Sequence, residues 1–173
     1  MENAMRMATP GDDSARTFGT LLERHRAIVF KIANSYGRSR EDRDDLAQEI
    51  ALQLWRAWPG YDPARSVTTW MYRIALNVAI GHARGDGLRR RRVEPLDDDR
   101  HDLADPGATD HEAEQQLRLL QDFIARQAPM DRALLLLYLD ERPQREIAEI
   151  LGTSTTNVST RIGRLKQRIR DEL

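Results

Sequence analysis

Apolar residues recur at three- and four-residue intervals along most of the chain, which is the spacing of one face of an α-helix. No segment shows the alternation that is typical of a strand. Pro59 and Gly60 follow one of these periodic segments and predict its end, because proline cannot continue the helical hydrogen-bond ladder. In the first half of the chain the predicted helices cover residues 18–32, about 43–58 and about 67–84.

The helical pattern stops in a segment rich in aspartate. Residues 95–111 include Pro95, the run Asp97 to Asp99, and almost no apolar periodicity. Such a composition predicts a flexible, self-repelling linker. The fold class is therefore all-α, with two small helical domains joined by an acidic tether. The predicted organisation is a disordered N-terminus at 1–16, a first domain at 17–94, the linker at 95–111 and a second domain at 112–173.

The distribution of charge changes the expected partner. The net charge is −1, which by itself does not suggest nucleic acid. However, residues 1–95 carry 16 Lys and Arg against 12 Asp and Glu, while residues 96–112 carry one against seven. Residues 113–173 carry ten against nine, and five of those ten lie between Arg161 and Arg170. Two basic-leaning ends around an acidic segment favour contact with a polyanion.

Composition argues against several functional classes. The chain has no cysteine, and its four histidines show no metal-binding spacing such as HExxH. There is no glycine-rich phosphate loop, and the run Asp97 to Asp99 is interpreted as solvated charge rather than a Mg²⁺ site. The longest apolar run, from Ala133 to Leu139, is too short for a membrane span, and no leader pattern is visible. We expect a cytoplasmic protein that is not an enzyme and has no cofactor, no metal and no membrane insertion.

The clearest local pattern lies between Gln144 and Ile169. A short helix is followed by Gly152, which can adopt a positive φ, and by Ser154, a good N-cap for the next helix. This pattern predicts a helix-turn-helix whose second helix docks through Val158, Ile162, Leu165 and Ile169. Its other face carries Asn and Arg side chains suited to base edges and phosphates. The alternative is an ordinary helical pair with a solvated basic face.

The two later helices of the first domain each carry a polar stripe. On the second helix, residues from Asp45 to Arg56 form an acidic stripe, which is either solvated or a docking surface. Ile50, Leu54 and Trp55 fall on the opposite, apolar side of this helix. The third helix is predicted to bury Val67, Met71, Ile74 and Val78. Arg73 and Asn77 share another face beside Trp70. Basic and amide groups next to an aromatic ring can bind single-stranded bases, although Trp70 is equally consistent with core packing.

These motifs together resemble the extracytoplasmic-function sigma factors of bacterial RNA polymerase. The first motif, Asp45-Leu46-Ala47-Gln48-Glu49-Ile50 with Leu54-Trp55, resembles their polymerase-docking segment. The second, Tyr61-Asp62 followed by Thr69 to Asn77, is similar to the helix that melts and reads the −10 element. The third, Glu146 to Gly152 with Val158, Arg161 and Leu165, is similar to the helix-turn-helix that reads the −35 element. All three occur in the order of that family.

The resemblance implies partners and roles. The partners are core RNA polymerase (the clamp helices of its largest catalytic subunit and the flap of the second), promoter DNA and, in some members, an anti-sigma factor. The implied polymerase-binding residues are Asp45, Gln48, Glu49 and Arg56. The implied −10 residues are Tyr61, Asp62, Arg65, Ser66, Trp70, Arg73, Asn77, Arg84, Arg89 and Arg90. The implied −35 residues are Thr155, Thr156, Asn157, Ser159, Thr160, Arg161 and Arg164.

Two departures from the family and one rival function remain. Residues 140–145 lack the usual start of the first helix in the helix-turn-helix, and Ser159 stands where many members carry a basic residue. Both departures concern the promoter sequence more than the class. The rival is a conventional helix-turn-helix regulator that binds duplex DNA without polymerase. The ordered motifs from Asp45 to Asn77 favour the sigma factor.

Overall fold

The computed structural model describes the backbone of residues 10–90 and 111–172, and the side chains of residues 13–85 and 113–172. Within these ranges every regular element is helical, which confirms the all-α prediction. The helices are α1 (Pro10–Arg24), α2 (Arg26–Tyr36), α3 (Arg40–Ala57), α4 (Val67–Arg90), α5 (His111–Arg126), α6 (Pro129–Leu139), α7 (Gln144–Leu151) and α8 (Thr155–Glu172). A single 3₁₀ turn, Trp58–Gly60, follows α3.

The first unit is built on α2, α3 and α4, which pack against one another. Its centre contains side chains with no more than 1% of their surface exposed, among them Ile32, Ile50, Leu54 and Met71. Ser39 caps α3, since its hydroxyl accepts a hydrogen bond from the Asp42 backbone N–H at 3.1 Å. These burials follow the predicted periodicity of the three helices.

The N-terminal boundary was predicted wrongly for residues 10–16, because α1 begins at Pro10. Tertiary contacts hold this helix on the first unit. The Phe18 ring lies 5.1 Å from that of Trp55, and the indole N–H of Trp58 donates to the Ser14 hydroxyl at 3.1 Å. The helix also ends earlier than the periodicity suggested, because the chain breaks at His25 and restarts as α2. Residues 1–9 lie outside the described residues.

The core of α4 differs in detail from the pattern expected for that helix. Met71 is buried as predicted, but Ile74 and Val78 are half-buried. The buried positions also include Tyr72, Leu76 and other residues that face the second unit or α2 and α3. The buried residues on α4 are Met71, Tyr72, Ala75, Leu76, Ala79 and Ile80. Packing on two sides of α4 therefore replaces a single amphipathic stripe.

The second unit contains the predicted helix-turn-helix. Phe123, Leu134, Leu137 and Ile147 are almost completely buried between its helices. Gly152 ends α7 with φ 65°, a left-handed conformation that favours glycine. Helix α5 already begins at His111, the last residue of the predicted linker, and residues 95–110 of that linker lie outside the described residues.

The two units pack directly against each other, chiefly through α4 against α6 and α7. Tyr72 donates from its phenol to Asp140 Oδ2 at 2.5 Å, and Lys31 Nζ donates to Asp140 Oδ1 at 2.5 Å. On α7, Glu146 Oε1 accepts from the Thr69 hydroxyl at 2.7 Å. We call these residues, with those of the next paragraph, the inter-unit contact.

A second group of bonds lies where α2 ends. Tyr36 donates from its phenol to the Pro129 carbonyl at 2.6 Å, and Arg132 Nη1 donates to the Ser35 carbonyl at 2.9 Å. The Arg132 guanidinium also lies 4.9 Å from the centre of the Tyr36 ring. The inter-unit contact therefore joins α2 and α4 to the start and end of α6.

No helix within the described residues is long and apolar enough to cross a membrane.

Candidate nucleic-acid interface

Helix α8 presents a polar face on the surface of the second unit. Ser154 caps it, because the Ser154 hydroxyl accepts from the Asn157 backbone N–H at 3.1 Å. Val158, Ile162 and Leu165 are each no more than 3% exposed and fix the orientation of the helix. The predicted −35 residues other than Arg161 are exposed: Thr155, Thr156, Asn157, Ser159, Thr160 and Arg164.

Arg161 differs from the other predicted −35 residues because it is half-buried and paired. Its Nε and Nη2 both donate to Asp131 Oδ1, at 3.0 Å and 2.5 Å. Asp131 lies in the first turn of α6, outside the helix-turn-helix, and nothing in the sequence pattern linked it to α8. An open cavity of about 720 Å³ lies beside this pair and is lined by Asp131, Ser154, Thr156, Asn157, Thr160, Arg161, Arg164, Leu165 and Arg168.

Aromatic rings form a continuous cluster where α3 meets α4. The Tyr61 ring stacks on that of Trp58 with centroids 5.4 Å apart, and it lies 4.9 Å from the ring of Trp70. Trp70 is half-buried, so it combines core packing with an accessible edge. The structure therefore brings two of the predicted −10 residues, Tyr61 and Trp70, into contact.

The loop that follows Tyr61 is held by its own side chains. Asp62 Oδ1 accepts from the Ala64 backbone N–H at 2.9 Å, and the Tyr61 hydroxyl donates to the Arg65 carbonyl at 2.9 Å. Asp62, Arg65 and Ser66 are exposed. The loop thus has a defined shape and offers polar groups to solvent beside the aromatic cluster.

Helix α4 continues from this loop with an exposed polar stripe. Arg73, Asn77 and Arg84 all lie on it and are exposed. Arg89 and Arg90 form the last turn of the helix, but their side chains lie outside the described residues. The predicted −10 residues that are described therefore line one path, from the loop along α4.

The acidic stripe on α3 is exposed as predicted, at Asp45, Gln48, Glu49 and Arg56. Sequence reasoning placed Trp55 on the opposite, buried side of α3, yet 42% of its surface is exposed. Leu52, within the stripe, is 41% exposed. The surface consequently contains two large apolar side chains among charged and amide groups.

The inter-unit contact perturbs two tyrosines. Burial raises the pKa of Tyr72, and the hydrogen bond to Asp140 and the negative charge of that carboxylate raise it further. Burial also raises the pKa of Tyr36, against the opposing effect of the Arg132 charge. Both phenols are therefore neutral hydrogen-bond donors at physiological pH. Among the described residues no cluster of His, Cys, Asp or Glu could hold a metal ion.

Comparison with known proteins agrees with this geometry. Residues 21–89 match the sigma-70 region 2 family, and residues 118–169 match the sigma-70 region 4 family. The chain is 29% identical over 187 residues to the ECF RNA polymerase sigma factor SigG of Mycobacterium tuberculosis, covering 95% of this chain and 50% of SigG. It thus spans about half the length of that relative. It is 30% identical over 177 residues to the RNA polymerase sigma factor CnrH of Cupriavidus metallidurans, covering 94% of this chain and 89% of CnrH.

Two solved structures resemble the whole arrangement. One is CnrH in complex with the cytosolic domain of CnrY, with a TM-score of 0.63 and 25% identity over 91% of this chain and 87% of the matched chain. The other is the sigma factor RpoE of Bartonella quintana in complex with the anti-sigma factor NepR, with a TM-score of 0.71 and 16% identity. That match covers 90% of this chain and 96% of the RpoE chain, and it shows the shared fold.

Proposed function

Since the chain belongs to the extracytoplasmic-function sigma factors of the sigma-70 family, we propose that it binds core RNA polymerase and directs transcription from promoters with −35 and −10 elements. The observation that carries this proposal is that three faces suited to the three partners are exposed on three different helices. These faces are the stripe on α3, the path along α4 and the recognition face of α8.

The α3 face is the proposed polymerase-docking surface. Its charged residues Asp45 and Glu49 lie on the same helix as the exposed Leu52 and Trp55. An aromatic anchor within a polar rim is the usual anatomy of a specific protein interface. The proposed partner is the clamp-helix region of the largest catalytic subunit, and the flap of the second subunit is the proposed partner of the second unit.

The path along α4 is the proposed site for the −10 element. The loop from Tyr61 to Ser66 would receive an unstacked base, and the adjoining rings of Trp58 and Trp70 make the site rigid. Stacking on aromatic side chains contributes about 1–3 kcal/mol per base in other single-strand binders. Arg73 and Asn77 then continue the path along the strand.

The face of α8 is the proposed −35 reader. Asn157 and Arg164 are exposed and carry side chains that form bidentate contacts with adenine and guanine, each giving about 1–3 kcal/mol of discrimination. The predictions for individual −35 and −10 residues rest on this exposure and on the family resemblance.

Simultaneous reading of both elements requires the two units to separate. Thr69 and Glu146 are hydrogen-bonded, Asn77 lies within about 12 Å of Thr69 along a helix, and Asn157 lies within about 25 Å of Glu146 along the chain. The two faces are then less than about 50 Å apart. Elements named −35 and −10 are about 25 base pairs apart, or about 85 Å at about 3.4 Å per base pair. We therefore propose that docking on polymerase replaces the inter-unit contact.

Reconstituted transcription tests the proposal. The purified chain is added to sigma-free bacterial core polymerase, and promoter-specific run-off transcripts are measured across fragments of its source genome. We expect transcripts that require both the core and this chain. Absence of transcripts, together with a shift of duplex DNA by the chain alone, would instead support a conventional regulator.

Two sets of variants separate the proposed faces. Reversing charge in Asp45→Lys with Glu49→Lys should abolish core binding in a folded chain, because both side chains are exposed. Asn157→Ala should weaken −35-dependent transcription while the affinity for core stays unchanged. If core affinity survives the charge reversal, α3 is not the docking surface. If Asn157→Ala lowers core binding and transcription equally, α8 is not the −35 reader.

An anti-sigma factor is a further proposed partner. The solved complexes of CnrH with CnrY and of RpoE with NepR motivate it, and the exposed Leu52 and Trp55 offer an apolar surface for such a protein. A regulator on this face competes with core polymerase. The test is whether a candidate regulator lowers the affinity of the chain for core, and whether Trp55→Ala weakens the direct binding of that regulator to the chain.

A further inference from the structure

Asp131 is an acidic side chain in a surface that is otherwise basic and polar. The cavity beside α8 is lined by Arg161, Arg164 and Arg168 together with hydroxyl and amide groups, and Asp131 is its one acidic lining residue. A carboxylate at a surface that meets phosphates costs affinity, since it repels the backbone. We therefore examine what the Asp131 carboxylate does at this surface.

The geometry of the ion pair defines that role. Both bonds to Asp131 Oδ1 come from the Nε and Nη2 side of the Arg161 guanidinium. A guanidinium carries five N–H donors in a fixed plane, and within the described part of the chain Nη1 makes no hydrogen bond. Asp131 thus fixes the plane of the group and leaves the Nη1 side for another acceptor.

The environment of the pair makes this orientation well defined. The Arg161 side chain is 34% exposed and that of Asp131 is 23% exposed, so both are partly shielded from water. Asp131 stands in the first turn of α6, which is anchored by the buried Leu134 and Leu135. On α8, the completely buried Val158 lies three residues before Arg161. Both backbones are therefore anchored in the core of the second unit, which fixes the position of the carboxylate and of the guanidinium it holds.

We propose that Asp131 is a positioning residue for promoter specificity: it orients Arg161 so that this side chain reads a base of the −35 element instead of binding phosphate. The inference rests on the proposed function. A free arginine at this place would reach the nearest phosphate, which raises affinity for all sequences alike. A tethered guanidinium presents its remaining donors in one direction, and bidentate recognition of guanine requires such a fixed fork.

The test uses the full chain with sigma-free core polymerase and a promoter library randomised at each −35 position. Run-off transcription gives the preference for each base at each position. The variants are Asp131→Asn, which removes the charge, and Asp131→Glu, which keeps a carboxylate within reach. The matched control is Asp122→Asn, which removes an exposed carboxylate from α5 in the same unit.

We expect Asp131→Asn to flatten the base preference at one or two −35 positions by about 5-fold or more, within the range of about 5- to 150-fold that one bidentate contact supplies. The affinity of the variant for non-promoter duplex DNA should rise, because the released Arg161 can bind a phosphate. The slope of log affinity against log salt concentration should become steeper by about one released counterion. Asp131→Glu should largely retain the preference, and Asp122→Asn should leave the profile unchanged.

A purely structural role for Asp131 predicts a different result. Asp131→Asn would then lower the melting temperature and reduce transcription from every promoter by one common factor, with the base profile intact. That outcome overturns the inference while the proposed function stands. If the wild-type chain itself gives no promoter-specific transcript, the proposed function has failed and the inference fails with it. The two failures are therefore distinguishable.

Discussion

Removing the Asp140 side chain should weaken the packing of the two units. In the native structure this carboxylate accepts from Tyr72, which is 3% exposed, and from Lys31, both at 2.5 Å. Asp140→Ala leaves the Tyr72 hydroxyl without its charged acceptor in a buried position, at a cost of about 1.5–3 kcal/mol. The Lys31 side chain is 41% exposed, so loss of its ion pair adds less than about 1 kcal/mol.

Urea and thermal unfolding of the full chain measure this effect. We expect the free energy of unfolding to fall by about 1.5–4 kcal/mol. Because the contact couples the units, we also expect one unfolding transition in the wild-type chain and two in the variant. A double-mutant cycle with Tyr72→Phe isolates the hydrogen bond, and we expect a coupling energy above about 1 kcal/mol. Additive effects in the cycle, within about 0.5 kcal/mol, would refute the argument. Asp122→Ala, at an exposed carboxylate, is the control and should change stability little.

Three further predictions concern stability. The pKa values of Tyr36 and Tyr72 are raised in the folded state, so the contribution of the two neutral phenols to the free energy of unfolding is complete below about pH 10. That contribution is lost as the pH rises from there through the folded pKa values. Unfolding in urea from pH 8 to about pH 11, with tyrosinate absorbance, should show this loss, and a flat profile would contradict it. Gly152→Ala, at φ 65°, should cost about 1 kcal/mol in the same assay, whereas Gly163→Ala, in α8 with open space for a Cβ, should not destabilise. Ser39→Ala removes the N-cap of α3 and should also lower the free energy of unfolding by about 1 kcal/mol. An unchanged urea midpoint would show that this cap does not stabilise the fold.

The helix-turn-helix is the part of the fold that the sequence predicted in most detail. The left-handed turn at Gly152, the cap at Ser154 and the buried stripe of α8 are all local features. Each depends on residues within about two helical turns, where backbone preferences and 3.6-residue periodicity act directly. The exposed face of α8 followed as the complement of that stripe.

Features that depend on distant residues were beyond the same reasoning. Trp55 was assigned to a buried side by periodicity, but α1 supplies Phe18 to cover only one part of the ring. The beginning of α1 at Pro10 was missed for the same reason, since its anchors lie more than 30 residues away in the sequence. The pairing of Asp131 with Arg161 also spans 30 residues, and a carboxylate and an arginine at that separation carry no periodic signal.

The chemistry of the inter-unit contact bears on the proposed opening of the chain on core polymerase. Its bonds involve hydroxyl, carboxylate, ammonium and guanidinium groups, together with two tyrosines that have apolar rings and polar tips. On separation these groups exchange protein partners for water, so each bond contributes only about 0.5–1.5 kcal/mol net, or up to about 3 kcal/mol where a charge takes part. A docked α3 face that buries Leu52 and Trp55 can supply several kcal/mol. In the proposed complex, this binding energy offsets part of the cost of separating the two units.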